Sequence, residues 1–305
     1  MPDSLKGLLA MVGASTIWGL SGLFYALLSH VPAVEVLAHR TVWSFVFFAF
    51  VIAATGRGPR LAALLRDRAS LRRLVVTAMM ISVNWFVFIW SIQSGRAIDA
   101  SLGYYIFPLV AVLIGVIWLR ERPAPLHWAA IALAAAAVAF LTWYLGVVPW
   151  IPLLLAGTFG VYGLMKKRLA AGPVLTVLVE VLFILPFAVA FLAFVHAGVA
   201  PGEAAFGRDG PESLLLILSG PLTGLPLLLF SYAAQRMRYS ALGLVQYLNP
   251  TLQFGVAVLA LGEAVTRGHA IALPFIWTAL ALYSLQSFRQ ERAARRRARI
   301  SSGVV

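Results

Sequence analysis

The chain has 305 residues, of which 61% are hydrophobic and only 11% charged, and its mean hydropathy is +0.90. About a quarter of a soluble chain is charged, so a soluble core of this length could not hide so much apolar surface, and lipid is the expected solvent. A formal charge of +13 could suit nucleic acid, but the Lys and Arg residues lie mainly between apolar runs and near the C-terminus, which points to topology and away from a nucleic-acid partner. The absence of Cys excludes disulfides, thiolate metal sites and cysteine nucleophiles.

A membrane-spanning helix needs roughly 20 mostly apolar residues. Runs of that kind predict ten helices: Leu5–Leu28, Val34–Ala54, Leu71–Ile92, Ala100–Leu119, Pro125–Leu145, Val147–Met165, Val174–Phe194, Ser213–Ala233, Ala241–Leu261 and His269–Phe288. No small-residue cleavage site closes the first run, so it reads as a retained span and not a signal peptide. The longer connections are Gly56–Ser70, rich in Arg, and Val195–Glu212, with Glu203, Arg208, Asp209 and Glu212.

Basic residues near helix ends mark the cytoplasmic side. On one side of the predicted spans lie Lys6, the Arg57–Arg73 cluster, Arg120, Arg122, Lys166, Lys167, Arg168, Arg236, Arg238 and the six Arg of the tail, twenty in all. The other side has Arg96, Arg208 and Arg267, and Arg40 falls inside a span. Both termini are therefore predicted to be cytoplasmic, which requires an even number of spans.

The chain also reads as a duplication. Trp18-Gly19-Leu20-Ser21-Gly22-Leu23 in the first span matches Phe159-Gly160-Val161-Tyr162-Gly163-Leu164 in the sixth at an offset of 141, and the pairs Pro108/Glu121 and Pro250/Glu263 match at an offset of 142. Five spans per copy is an odd number, so the second copy must be inverted, a pattern characteristic of secondary transporters. The predicted fold is an all-α integral membrane protein of ten transmembrane helices in two inverted five-helix repeats, 1–145 and 146–288, followed by a basic cytoplasmic tail, 289–305.

A charged group at the centre of a span costs at least about 2.5–3.5 kcal/mol, so those retained usually pair or face water. In the second span Glu35 and His39, at i and i+4, share a face, and Arg40 sits about 100° round, roughly 9 Å below the helix start. Two readings are open: an interfacial Glu35 with a snorkelling Arg40, or a cavity lined by Arg40 and His39. Glu180 in the seventh span is either a hydrogen-bonded helix tie or a site for a substrate ammonium or a proton. Pro108 and Pro250 fall near the midpoints of equivalent helices, where Pro frees a carbonyl and kinks the axis; matched interruptions of this kind mark binding sites in transporters. Around them cluster Tyr104, Tyr105, Gln246, Tyr247 and Asn249. Asn84 and Trp85, with Trp90, add a polar and aromatic wall unless the tryptophans face lipid. Trp18 and Tyr162, in the matched motifs, complete the candidate substrate-binding set. No catalytic or metal-ligating group is predicted.

The stretches Glu35-Val36-Leu37-Ala38-His39-Arg40-Thr41-Val42-Trp43-Ser44, Asn84-Trp85, Ser101-Leu102-Gly103-Tyr104-Tyr105, Tyr162-Gly163-Leu164, Glu180, Pro226-Leu227-Leu228, Leu242-Gly243, Gln246-Tyr247 and Pro250-Thr251 together resemble the RarD-like permeases of the EamA group in the drug/metabolite transporter superfamily. The resemblance runs over nearly all ten predicted spans. It implies a ten-helix basket around a central cavity, and ATP-independent transport of small metabolites or drugs, amino-acid-like ones among them, across the bacterial inner membrane. The family pattern has Asn before the proline of the fourth span, where this chain has Phe107, leaving Asn249 as the only Asn before such a proline.

The predicted partners are a small-molecule substrate, membrane lipids, which the Arg-rich tail suits, and protons as a coupling ion; no cofactor is predicted, and no Walker-type loop is present. The rival classes are a passive channel, a lipid flippase or an assembly factor, and an intramembrane enzyme. The last would need a nucleophile–base or metal constellation, whereas His30, His39, His127, His196 and His269 are scattered over different segments.

Overall fold

The computed structural model describes residues 3–120, 123–166, 169–199, 204–234, 236–237 and 245–301. Glu121, Arg122, Lys167, Arg168, Glu203, Arg238 and Leu242-Gly243 lie outside these residues, as do the first part of the predicted ninth span and the last four residues of the tail.

Among the described residues every regular element is helical: α1 Asp3–Leu27, α2 Ala33–Ala54, α3 Gly58–Arg66, α4 Arg68–Gln93, α5 Ala97–Leu119, α6 Pro125–Leu145, α7 Trp150–Lys166, α8 Pro173–His196, α9 Gly210–Ala234, α10 Leu248–Gly255 running into a π-helix at Val256–Ala260, and α11 Arg267–Ser301. Eight are long and apolar enough to cross a membrane, and two shorter apolar helices, Trp150–Lys166 and Leu248–Ala260, stand where the sixth and ninth spans are predicted.

The exterior identifies the solvent. Phe50, Phe187, Trp143, Ile117 and Leu259 are each more than two-thirds exposed, a surface that water would penalise and hydrocarbon does not. In lipid, helices associate by close packing and polar contacts because apolar burial no longer drives them together, and small residues supply the approach. Gly220 of α9 lies directly against the backbone of Trp43 and Ser44 in α2, and Gly224 against the Phe47 ring. Gly19 of α1 faces Leu252 and the Asn249 carbonyl of α10, while Gly160 of α7 faces Ile114 and Val110 of α5. The main packing pairs are α5 with α7, α6 with α11, α2 with α8 and α9, α1 with α9 and α10, α4 with α7 and α8, and α5 with α10. Every one of these pairs joins the first half of the chain to the second.

Several boundaries differ from the sequence reading. The Gly56–Ser70 connection contains α3, opened by Pro59 near its N-terminus, where Pro is tolerated. It is followed at once by α4, whose cap Asp67 accepts from the Ala69 N–H at 3.0 Å and the Ser70 hydroxyl at 2.6 Å. The Ser70 hydrogen bond holds the Asp67 carboxyl below its usual range. α4 therefore starts three residues before Leu71. The tail does not leave the last helix at Phe288: α11 runs on to Ser301, because Gln, Glu, Arg and Ala are good helix formers and neither Gly nor Pro interrupts them. Pro250 is not mid-helix in the described residues. The helical hydrogen bonding is interrupted at Tyr247, whose backbone stays in the right-handed helical region (φ −65°, ψ −13°) between the helical Val245–Gln246 and α10, and Pro250 falls in the first turn after that break, where its missing N–H is tolerated.

Candidate functional site

Arg40 lies seven residues into α2, about 10 Å along the axis, and is only 6% exposed. Its Nη1 donates to the Tyr25 hydroxyl at 2.8 Å, and its guanidinium lies over the Trp85 ring, 4.1 Å from the centroid, a contact that stabilises a desolvated cation. Among the described residues Arg40 Nε has no hydrogen-bond partner. Asn84, one residue before Trp85, accepts from the Tyr104 hydroxyl at 2.9 Å and donates to the Leu155 carbonyl and the Thr158 hydroxyl, both at 3.0 Å. This network joins α4 and α5 to α7. Arg40, Tyr25, Trp85, Tyr104 and Asn84 thus form one buried polar and aromatic cluster.

A second cluster surrounds Glu180, seven residues into α8 and 1% exposed. Its Oε1 accepts from Lys166 Nζ at 2.8 Å and from the Thr77 hydroxyl at 2.6 Å, and its Oε2 accepts from the Tyr162 hydroxyl at 3.3 Å. Lys166 also donates to the Thr176 hydroxyl and lies 5.0 Å from the Tyr162 ring centroid. Between the two clusters the helices meet along a closed seam, too tight to hold a water molecule, formed by Thr41, Ile81, Ser82, Trp85, Glu180, Val181 and Ile184.

The other candidates lie elsewhere. Glu35 and His39 share a face, but it is turned to the α8–α9 connection: the Ala205 N–H donates to Glu35 Oε1 at 2.8 Å, and the His39 ring stacks on Phe206 at 5.1 Å. Tyr105 faces α10 and α11, donating to the Thr251 hydroxyl at 3.0 Å beside Trp277. Tyr247 lies against Tyr283 and Ser284 of α11, Asn249 accepts from Gln253 Nε2 at 3.0 Å, Gln246 is half-buried beside Tyr247, and Trp18 packs near Phe230 at 6.2 Å. Pro108 is inside α5, four residues after Tyr104.

Sequence reasoning missed three participants. Lys166 reads as a topology marker because it begins a basic triplet; here it turns inward to Glu180. Thr77 and Tyr25 carry no signal until helix faces are known, since a hydroxyl on a spanning helix most often bonds to its own backbone. Glu263, read as the end of a span, instead caps α5, accepting from the Ala97 and Ile98 N–H groups at 2.6 and 2.8 Å, where a carboxylate also meets the positive end of the helix dipole.

A bundle with an apolar exterior, eight long apolar helices and two polar clusters around Arg40 and Glu180 at its interior is a multi-pass membrane protein. The EamA-like transporter family profile matches residues 5–143. An uncharacterized transporter of Vibrio cholerae is 40% identical over 294 residues, covering 96% of this chain and 97% of the relative. Protein RarD of Escherichia coli is 36% identical over 289 residues, 94% and 96% of the two chains, and the chloramphenicol-sensitive protein RarD of Pseudomonas aeruginosa is 30% identical over 302 residues, 97% and 99%. A crystal structure at 22% identity matches with a TM-score of 0.60 over 93% of this chain and 97% of its own, which shows a shared fold. The chain belongs to the EamA-like transporter family, as a RarD-like permease of the drug/metabolite transporter superfamily.

Proposed function

We propose that this permease is a secondary transporter that carries a small metabolite or drug, amino-acid-like in size, across the bacterial inner membrane by alternating access. The observation that carries the reading is the way the helices pair. With 1–145 and 146–288 taken as two repeats, α1, α2, α4, α5 and α6 correspond to α7, α8, α9, α10 and α11. Exchanging the halves turns α5–α7 into α1–α10, α1–α9 into α4–α7 and α2–α9 into α4–α8, and leaves α2–α8, α6–α11 and α5–α10 as they are. One close approach follows the same exchange. Gly19 against Leu252 corresponds to Gly160 against Val110, at the offsets of 141 and 142 read from the sequence, whereas Gly22, which approaches Val256, corresponds to Gly163, which has no close neighbour among the described residues. Such pairing supports two inverted five-helix repeats around a shared centre, the architecture that rocks one half against the other about a midplane site. Ten spans, cytoplasmic termini and a basic cytoplasmic extension at 289–305 complete the topology.

The two clusters fit the same scheme. Tyr25 and Lys166 are 141 residues apart, and each ties its helix to the next, Tyr25 to Arg40 and Lys166 to Glu180. In an inverted repeat these ties lie toward opposite membrane faces. Protonation of Glu180 would cancel its attraction to Lys166 and loosen the α7–α8 end, which couples a proton to opening at that face.

Purified protein in proteoliposomes tests the proposal against a panel of amino acids, nucleobases and chloramphenicol, the last because one relative bears it in its name. Saturable uptake that unlabelled compound competes away is the expected result. Flux that rises linearly with concentration would indicate a pore, and lipid scrambling without solute uptake a flippase; either would overturn the reading.

A further inference from the structure

We infer that Arg40 is the anchor for a carboxylate, so that the transported molecule is a small organic anion held by the guanidinium beside Trp85 once the closed seam that Trp85 forms with Thr41 and Ser82 parts. The inference rests on the transport reading and narrows its substrate class. The buried acids are engaged elsewhere: Glu180 by Lys166, Thr77 and Tyr162, Glu35 by the Ala205 N–H, and Glu212, through Oε2, by His30 and Arg208. No carboxylate among the described residues forms an ion pair with Arg40, whose contacts are the neutral Tyr25 hydroxyl and the Trp85 and Tyr25 rings.

A fully desolvated guanidinium with neutral neighbours is costly in a protein interior. Its remaining N–H groups keep the planar fork that fits a carboxylate with two parallel hydrogen bonds. The second charged cluster differs in kind, because the Glu180 carboxylate and the Lys166 ammonium neutralise one another. The polar centre therefore holds one uncompensated positive charge, which an anion would complete and a cation would oppose. Trp85 and Tyr104 add flat apolar walls nearby, which suits a planar body behind the carboxylate.

The test uses the full chain in detergent and two matched pairs of probes, benzoate with benzamide and indole-3-acetate with indole-3-acetamide. Each acid should raise the thermal midpoint saturably, and each amide should not. Arg40→Gln should weaken acid binding about tenfold or more, the worth of a charge-assisted hydrogen bond, while leaving the unliganded midpoint unchanged or higher, because the substitution removes an uncompensated buried charge. Arg40→Lys keeps the charge, loses the fork and should bind with intermediate affinity, a comparison that holds if Arg40→Gln fails to fold. Equal shifts from acids and amides, no shift from either acid, or unaltered acid binding in both variants would overturn the anchor. Acids that bind the protein but never enter proteoliposomes would leave the anchor standing and remove the transport reading.

Discussion

Removing one member of a buried charged pair leaves the other unpaired, and at residue scale Lys166 and Glu180 are the sharpest case. Such a loss costs about 3–5 kcal/mol, whereas replacing both members by neutral groups is often close to neutral. We therefore predict that Lys166→Met and Glu180→Gln each lower the thermal midpoint markedly and that the double variant recovers most of the loss, measured on purified protein by scanning fluorimetry. Additive losses would show that the two side chains do not act as a pair. Much of this was legible beforehand. Helical rise alone places Arg40 and Glu180 too deep to be incidental, and the i, i+4 spacing puts Glu35 and His39 on one face. Their partners were not legible, because a sequence does not say which helix lies opposite: Tyr25 looks like any aromatic residue in a span, and Lys166 sits where topology alone explains it.

At the scale of elements, glycine marks the places where two helices come closest. A Cβ on Gly160 would meet Ile114 at 2.7 Å, while one on Gly163, a single turn away, would meet nothing within 4 Å. Gly160→Val should destabilise the protein by about 1–3 kcal/mol, the usual cost of overpacking, and Gly163→Ala should cost nothing measurable; comparable midpoints for both variants would contradict the α5–α7 approach. The apolar runs marked the core of every described element except α3, and the other differences lie at the ends. Apolarity ends at Phe288 although helix propensity does not, so α11 outlasts its hydrophobic run. α3 was missed because nine residues with Arg among them leave no spanning signal, even though its Leu64 is buried. Pro250 was placed mid-helix because the apolar run continues across Tyr247, where the helical hydrogen bonding breaks although the backbone stays helical.

For the molecule as a whole, orientation can be tested first. The chain has no native Cys, so single cysteines label without background. On intact cells an impermeant maleimide should modify Asp209→Cys, in the α8–α9 connection, and spare Ala62→Cys in α3, both exposed positions; the reverse pattern would invert the topology.

The central claim is that the closed seam between the Arg40 and Glu180 clusters opens alternately to the two sides of the membrane, and accessibility at Ser82, which lines it, tests that most directly. Ser82→Cys should react with an impermeant maleimide from the periplasmic face in right-side-out vesicles and from the cytoplasmic face in inside-out vesicles, and a transported compound should slow both reactions. Modification from one face alone, unchanged by any transported compound, would contradict alternating access about this site.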